Sequence, residues 1–312
     1  MTQLEAVVGG KLAVAVKSFE AAKIAKHMEF ILRTGIKVVG FWEQDYPEQL
    51  RQISDAPPLL FVMGDVSVLS RPSVAVVGTR RPTAYGRRVA QELARALANA
   101  NVVLVSGGAR GVDSVGHKAC VEAGGKTIVV LGSGHARLYP RENTRFFLEI
   151  AKGSGAVISE FLPFTSPDPG LFPRRNRIIS GLAKTVIVVE GDMGSGALNT
   201  ASWAADQSRD VYAVPGPIYS AKSRGTNWLI SQGAMVYTGP ESIVDEARPV
   251  QLPEMNQAEK TVFDALSHEP IHLDQISEMT HMDTPTALSV LLSLEIKGAV
   301  SQLPGKFFVR AL

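Results

Sequence analysis

Six short, almost wholly apolar runs recur through the middle of this chain: SVAVVG (73–78), VVLVSG (102–107), KTIVVLG (126–132), GAVISE (155–160), KTVIVVE (184–190) and DVYAVPG (210–216). Each is followed by a glycine-rich or polar loop and, in most cases, a helical pattern such as YGRRVAQELARALANA (85–100) or NTASWAADQS (199–208). Runs that are apolar throughout, rather than alternating, belong to parallel strands covered on both faces. Strand–helix alternation with right-handed crossovers then predicts an α/β fold, a Rossmann-like, doubly wound and mainly parallel sheet. Ligands of such sheets bind beyond the carboxyl ends of the strands. Here those ends carry GTRRPT, SGGARGVDS, GSGHAR, the stretch around FPRRNR, and GDMGSGA.

The flanks differ from this core. Residues 1–70 read as an N-terminal helical and extended segment, with GIKVVGF and PPLLFVMG on either side of a turn-rich stretch. Residues 71–246 form the Rossmann-like domain. ARPVQLPEMN, with two prolines, reads as a linker. Residues 254–312 give three helical patterns and a hairpin, a winged-helix layout, with Pro285 where a first helical turn tolerates it.

Charge separates the same regions. Residues 1–70 hold 7 Lys/Arg against 8 Asp/Glu, residues 71–240 hold 20 against 11, and residues 241–312 hold 5 against 11. A formal net charge of +2 thus hides a basic middle and an acidic tail, which suggests different partners for each. No apolar run approaches a membrane span, and no signal peptide is read at the N-terminus. The single cysteine, Cys120, excludes an internal disulfide, so a cytoplasmic protein is expected.

Chemistry concentrates on the loops. Five arginines and no acid lie between Arg71 and Arg88, among them Arg80. Ser106, Gly107, Gly108, Arg110 and Gly111 form a glycine-rich strand-to-helix turn whose amides are expected to point at an anion. FPRRNR places Phe172, Arg174, Arg175, Asn176 and Arg177 at a helix start that carries no acid, where the macrodipole is already positive. Spaced arginines suit a polymer of phosphates, and Phe172 offers either a stacking face for a base or a hydrophobic staple. Asp113 is expected to brace the glycine-rich loop, His135 to be exposed in its own loop, and His117 with Cys120 to pack a helix on the sheet.

Enzymatic readings are thinner. The dinucleotide fingerprint and the Walker signature are both missing. GDMGSGALNTA sits where a nucleotide hydrolase on this scaffold would carry catalytic carboxylates, but Asn199 and Thr200 occupy the neighbourhood. Glu160 and Glu190 end strands at the binding edge and stay open as candidates. A third reading makes the chain a double-strand DNA regulator acting through its winged helix. Against it, TPTALSVLLSLEIKGAV offers Lys297 as its one cation and also carries Glu295.

The ordered motifs GTRRP, SGGARGVDS, LGSG, LYPRENTRFF, ISE, FPRRNRIISGLA, SGALNTASWA, AVPGPI and GTNWLISQGA, with DYPEQLRQISDAPPLLFVMG upstream, resemble the DNA-processing protein A (DprA/Smf) family. The resemblance runs from about Gly35 to Val244. It implies a non-catalytic single-stranded DNA-binding protein of natural transformation that protects incoming DNA and loads the recombinase RecA. It also implies a homodimer through the Rossmann-like domain, with no cofactor, no metal and no membrane. The family's DNA pocket maps onto Arg80, Ser106 to Gly111 with Arg110, Ser133, Phe172, Arg175, Asn176 and Arg177. Two departures stand out. The glycine-rich helical module common at the family's N-terminus has no counterpart in residues 1–34, and Pro169 and Gly170 replace a lysine found in some members.

Overall fold

The computed structural model describes residues 21–247, 254–267 and 269–311. Residues 1–20, part of the expected shortened module, and most of the proline-containing linker lie outside them. The described residues fall into two compact units, one within Met1–Arg248 and one within Pro249–Leu312.

In the first unit α1 (Ala21–Thr34) precedes β1 (Lys37–Gly40), α2 (Glu48–Arg51) and β2 (Leu59–Gly64). The repeating part follows as β3 (Ser73–Val77), α3 (Ala84–Asn99), β4 (Val103–Ser106), α4 (Val112–Glu122), β5 (Thr127–Val130), α5 (Thr144–Glu149) and β6 (Gly155–Ser159). It continues as α6 (Leu171–Gly181), β7 (Thr185–Val188), α7 (Gly196–Asp206), β8 (Asp210–Ala213), α8 (Ala221–Ser231), β9 (Met235–Val236) and α9 (Pro240–Ala247). One nine-stranded sheet results, in the order β1-β2-β6-β5-β4-β3-β7-β8-β9. Every pairing from β6 through β9 is parallel, as the apolar runs imply. Residues 37–64, read from sequence as a flanking segment, instead extend this sheet. β2 pairs antiparallel with β6 and β1 antiparallel with β2, so β1 again runs in the direction of the core strands.

The need for apolar residues on both strand faces is visible in β3. Ala75 and Val77 face a core that includes Ile178, Ile179, Ala197 and Ala201 of α6 and α7. Val74 and Val76 face a second core with Leu93 and Leu97 of α3 and Val112 of α4. Leu93 and Leu97 are fully buried, worth about 1.5–3 kcal/mol each. α3 begins where Thr83 accepts the Gly86 amide, a side-chain N-cap. His117 and Cys120 of α4 are buried, and His117 Nδ1 lies 2.7 Å from Thr127 Oγ1. That is the packing arrangement expected of them. Among the described residues no group of three or more potential ligands could hold a metal ion, and no helix is long and apolar enough to cross a membrane.

The sheet order reverses at β3, with β4, β5 and β6 laid down on one side and β7, β8 and β9 on the other. A crevice must therefore open between the loops that leave β3 and β7.

The second unit contains α10 (Gln257–Ala265), β10 (Ile271–His272), α11 (Leu273–Thr280), α12 (Thr284–Ile296), β11 (Val300–Leu303) and β12 (Phe307–Arg310). Three helices and the sheet β10-β12-β11 make a winged helix around Val262, Ile276, Leu291, Leu294 and Phe308. Asn256 and Glu259 close a capping box at α10. Glu259 also accepts from Ser293 Oγ at 2.6 Å and from Lys297 Nζ at 2.7 Å. The one cation of the α12 stretch is thus committed inside its own unit.

Candidate nucleic-acid interface

At the switch point lies a cavity of about 300 Å³ whose walls include Gly78, Thr79 and Arg80 from the β3 loop, Phe172, Arg175 and Asn176 from α6, and Ser195 to Ala197 from the start of α7. A smaller hollow of about 60 Å³ adjoins it, lined by Arg110, Tyr139 and Pro140 and sharing Arg80, Ala109, Phe172 and Arg175. Arg80 is exposed and has no hydrogen-bond partner among the described residues.

The glycine-rich loop is built differently from the anion cradle that its sequence suggests. Asp113 Oδ2 accepts from the amides of Gly107 and Ala109, at 3.2 Å each. The helix start thereby holds an internal anion, and two of the amides expected to meet a phosphate are already occupied. Asp113 braces the loop, as anticipated. Burial pushes its carboxyl up to about 6, against the opposing pull of Arg175 and these amides. Gly111 needs its glycine, because φ is +83° and a Cβ would lie 2.3 Å from the Thr79 carbonyl oxygen. Ser106 Oγ donates to the Val76 carbonyl and Ser133 Oγ to the Arg137 carbonyl, both from buried positions. The first hydroxyl ties β4 to β3, and the second closes the loop after β5 on itself.

The three arginines of FPRRNR, expected together on a polyanion, separate. Arg174 stays out, its side chain 60% exposed, over the Phe161 ring and 3.3 Å from Glu160. Arg175 is buried and donates through Nη1 to the carbonyls of Gly107 and Val130, tying α6 to the ends of β4 and β5. Burial lowers its pKa to about 10, with Arg80 contributing to the same shift and Asp113 opposing it. Arg175 still lines both cavities. Arg177 is 1% exposed and forks onto Glu160, with Nη1–Oε1 at 2.7 Å and Nη2–Oε2 at 2.8 Å. Its Nε reaches the Asp55 carbonyl at 3.0 Å and carboxylate at 2.9 Å. Arg177 turns inward because a carboxylate from the preceding β6–α6 loop, Glu160, meets it. Asn176 links α6 to α7 through Asn199 Oδ1 at 3.0 Å.

Phe172 sits between the two cavities, half-buried, with its ring 5.6 Å from that of Tyr139. A Cβ on Gly132 would come within 2.6 Å of it, so this glycine makes room for the ring. Arg110 is 66% exposed and paired with Glu142. An exposed pair of this kind is screened by water and contributes little, so Arg110 can exchange Glu142 for another anion. Tyr139, Glu142 and Gly132 were not singled out individually from sequence. For Tyr139 and Glu142 the signal is an aromatic and an acid inside the otherwise basic LYPRENTR loop.

His135 corrects the sequence reading. It is 3% exposed, its Nε2 lies 2.9 Å from the Val157 carbonyl oxygen, and burial holds its pKa down at about 4. The two strand-ending carboxylates are also engaged. Glu160 receives Arg177, and Glu190 receives the Thr83 amide and hydroxyl. The carboxylate in the wall of the larger cavity is Asp113, already bound by loop amides.

Comparisons with known proteins place this geometry. A family model described as DNA recombination-mediator protein A matches residues 37–248, and a DprA winged-helix model matches residues 246–306. Protein Smf of Escherichia coli is 37% identical over 278 residues, covering 84% of this chain and 74% of that protein. The crystal structure of DNA processing protein A from Streptococcus pneumoniae superposes with a TM-score of 0.68 at 37% identity, covering 73% of this chain and 78% of the other. The Helicobacter pylori protein, whose structure concerns its single-stranded DNA binding mode, gives 0.61 at 29% identity, with 68% of this chain and 96% of that one covered.

Proposed function

The chain belongs to the DNA recombination-mediator protein A (DprA/Smf) family, and from that premise we propose that it binds single-stranded DNA in the processing of incoming DNA, without catalysing a reaction on it. The observation that carries the reading is the crevice at the β3/β7 switch point, where Arg80, Arg110 and Arg175 surround the Phe172 ring. Cations at the rim meet phosphates irrespective of sequence, and an aromatic face accepts any base. Arg174 adds a further exposed cation at the same helix start. Arg177, by contrast, serves the site by holding α6 in place.

The decisive experiment compares single- and double-stranded oligonucleotides in mobility shifts across a salt series. Arg80→Ala is expected to weaken single-strand binding evenly across base sequences and to flatten the slope of log K against log salt by about one charge. An unchanged slope in the folded variant removes Arg80 from the interface, and preference for duplex DNA overturns the reading.

Delivery of the bound strand to the recombinase RecA is the finer form of the proposal. Its test is RecA filament formation on DNA pre-coated with a single-strand-binding protein, with and without this chain. Self-association is the other. An apolar groove of about 650 Å³ lies between α7, α8, β8 and β9, lined by Met193, Trp228 and Met235 among others. The exposed edge strand β9 borders it, with Met235 39% and Val236 44% exposed. Trp228→Glu is expected to convert a dimer to a monomer in light scattering. Dimers that survive the change exclude this surface.

A further inference from the structure

Resting on that single-strand reading, we propose a second base-binding station outside the Arg80 crevice, formed by the β8–α8 loop with Tyr219 as its stacking platform. The β3–α3 loop has two sides. One lines the crevice already described. The other, through Thr83 and the adjoining Tyr85 of α3, faces a separate hollow of about 440 Å³ closed by Pro215, Pro217 and Ser220 from the β8–α8 loop and by Glu190. β8 is two strands from β3 in the sheet order, about 10 Å along the same carboxyl edge. A single strand leaving the crevice over Arg80 and Arg81 reaches this hollow within a few nucleotides.

The loop is shaped for an occupant. Tyr219 is 96% exposed and Ile218 73%, an aromatic and an aliphatic side chain held side by side in water. Their support is rigid. Gly216 and Asn227 exchange two hydrogen bonds, of 3.2 and 2.9 Å, and the Ser220 amide donates to the Pro217 carbonyl at 2.9 Å. Tyr85 Oη donates to the Pro215 carbonyl at 3.2 Å, fastening the two loops that enclose the hollow. An exposed ring on a pre-organised turn loses little entropy when a flat partner stacks on it.

Charge selects which flat partner. Residues 211–240 contain no acid and two cations, Lys222 and Arg224, and Arg224 is already paired with Asp192 at 3.0 Å. The half-buried Lys222 and the exposed Arg81 and Arg87, close in sequence to the hollow's Ser220, Thr83 and Tyr85, supply cations beside it for phosphates. Inside, Glu190 is 3% exposed and presents a carboxylate bound by Thr83. It repels a phosphate from the hollow while tolerating a base edge that donates hydrogen bonds. Phosphates outside and bases inside is the arrangement of a single-strand track.

The test uses the full chain, with fluorescent oligothymidylates of about 6 and about 20 nucleotides, a span that brackets a short and an extended site. Tyr219→Ala is expected to weaken the long oligonucleotide at least about fivefold, the low end of one lost base–aromatic stack. The short one, seated in the crevice, is left unchanged. Tyr219→Trp retains the affinity, and a 5-iodouracil oligonucleotide cross-links to the peptide that carries Tyr219. Because the ring is 96% exposed, melting is unaffected by either change. If Tyr219→Ala binds the long strand like the wild type while Arg80→Ala does not, the station is refuted and the crevice reading stands. A variant that loses a protein partner but no DNA affinity assigns the loop to protein docking and equally refutes it. If the wild type binds neither oligonucleotide, the single-strand reading itself falls and takes this station with it.

Discussion

Replacing Arg177 by alanine separates folding from binding in the stretch that looked most like a polyanion site. The Arg177 side chain is 2% exposed and that of its main partner, Glu160, 4%. Removing the guanidinium leaves that buried carboxylate to the longer, exposed contact with Arg174 at 3.3 Å, and also strands the Asp55 and Arg174 carbonyls that now accept from it. Breaking a buried pair from one side costs about 3–5 kcal/mol. A unit of this size shifts by about 2–4 °C for each kcal/mol, so a fall in melting temperature of about 6–20 °C is expected. Arg174→Ala, which removes a side chain 60% exposed, should move the melting point by no more than about 2 °C. The assay is calorimetry of both variants, with Arg177→Met/Glu160→Leu as a third. That double variant removes both charges together, so it should recover part of the loss. Charge reversal at Arg175 with Arg177 is expected to unfold the first unit, since both are interior tethers, and its loss of binding would then carry no information about contact with DNA. The reasoning fails if Arg177→Ala melts with the wild type and loses single-strand affinity, for then the guanidinium serves the ligand and not the fold.

Two further outcomes concern the tail. The hydrogen bonds from Lys297, Ser293 and the Asn256 amide hold the Glu259 carboxyl down at about 2, from a usual 4.5. Because the folded value is the lower one, this contribution is complete above pH 4.5 and is lost as pH falls towards 2. Calorimetry of the full chain should show a wild-type advantage over Glu259→Gln in the C-terminal unit that shrinks below pH 4.5, and an advantage independent of pH would contradict it. A chain ending at Arg248 should keep single-strand affinity within about tenfold, because the acidic unit commits Lys297 internally and repels a phosphate backbone. Loss of single-strand binding in fluorescence anisotropy would place the winged helix in the interface.

Local pattern, read along the chain, determines much of this protein. Apolar runs without alternation require strands covered on both faces, and Val74 and Val76 against Ala75 and Val77 show why. The cluster of loops at the carboxyl edge follows from the parallel order, and with it the neighbourhood in which Arg80, Gly107 to Gly111 and Phe172 meet. Three things were decided by tertiary structure. β1 and β2 join the sheet through antiparallel pairing with β6, a contact between segments about 95 residues apart for which no local signal exists. Asp113 occupies amides that glycine spacing alone assigns to a ligand. And of three arginines within four positions, one faces water while two face inward. Helix periodicity puts residues 174 and 177 on one side of α6 and 175 on another, but which side chain meets solvent depends on what packs there. Glu160 and the backbone carbonyls of Gly107 and Val130 come from other strands, and a buried cation is tolerated only where such acceptors are already held to receive it.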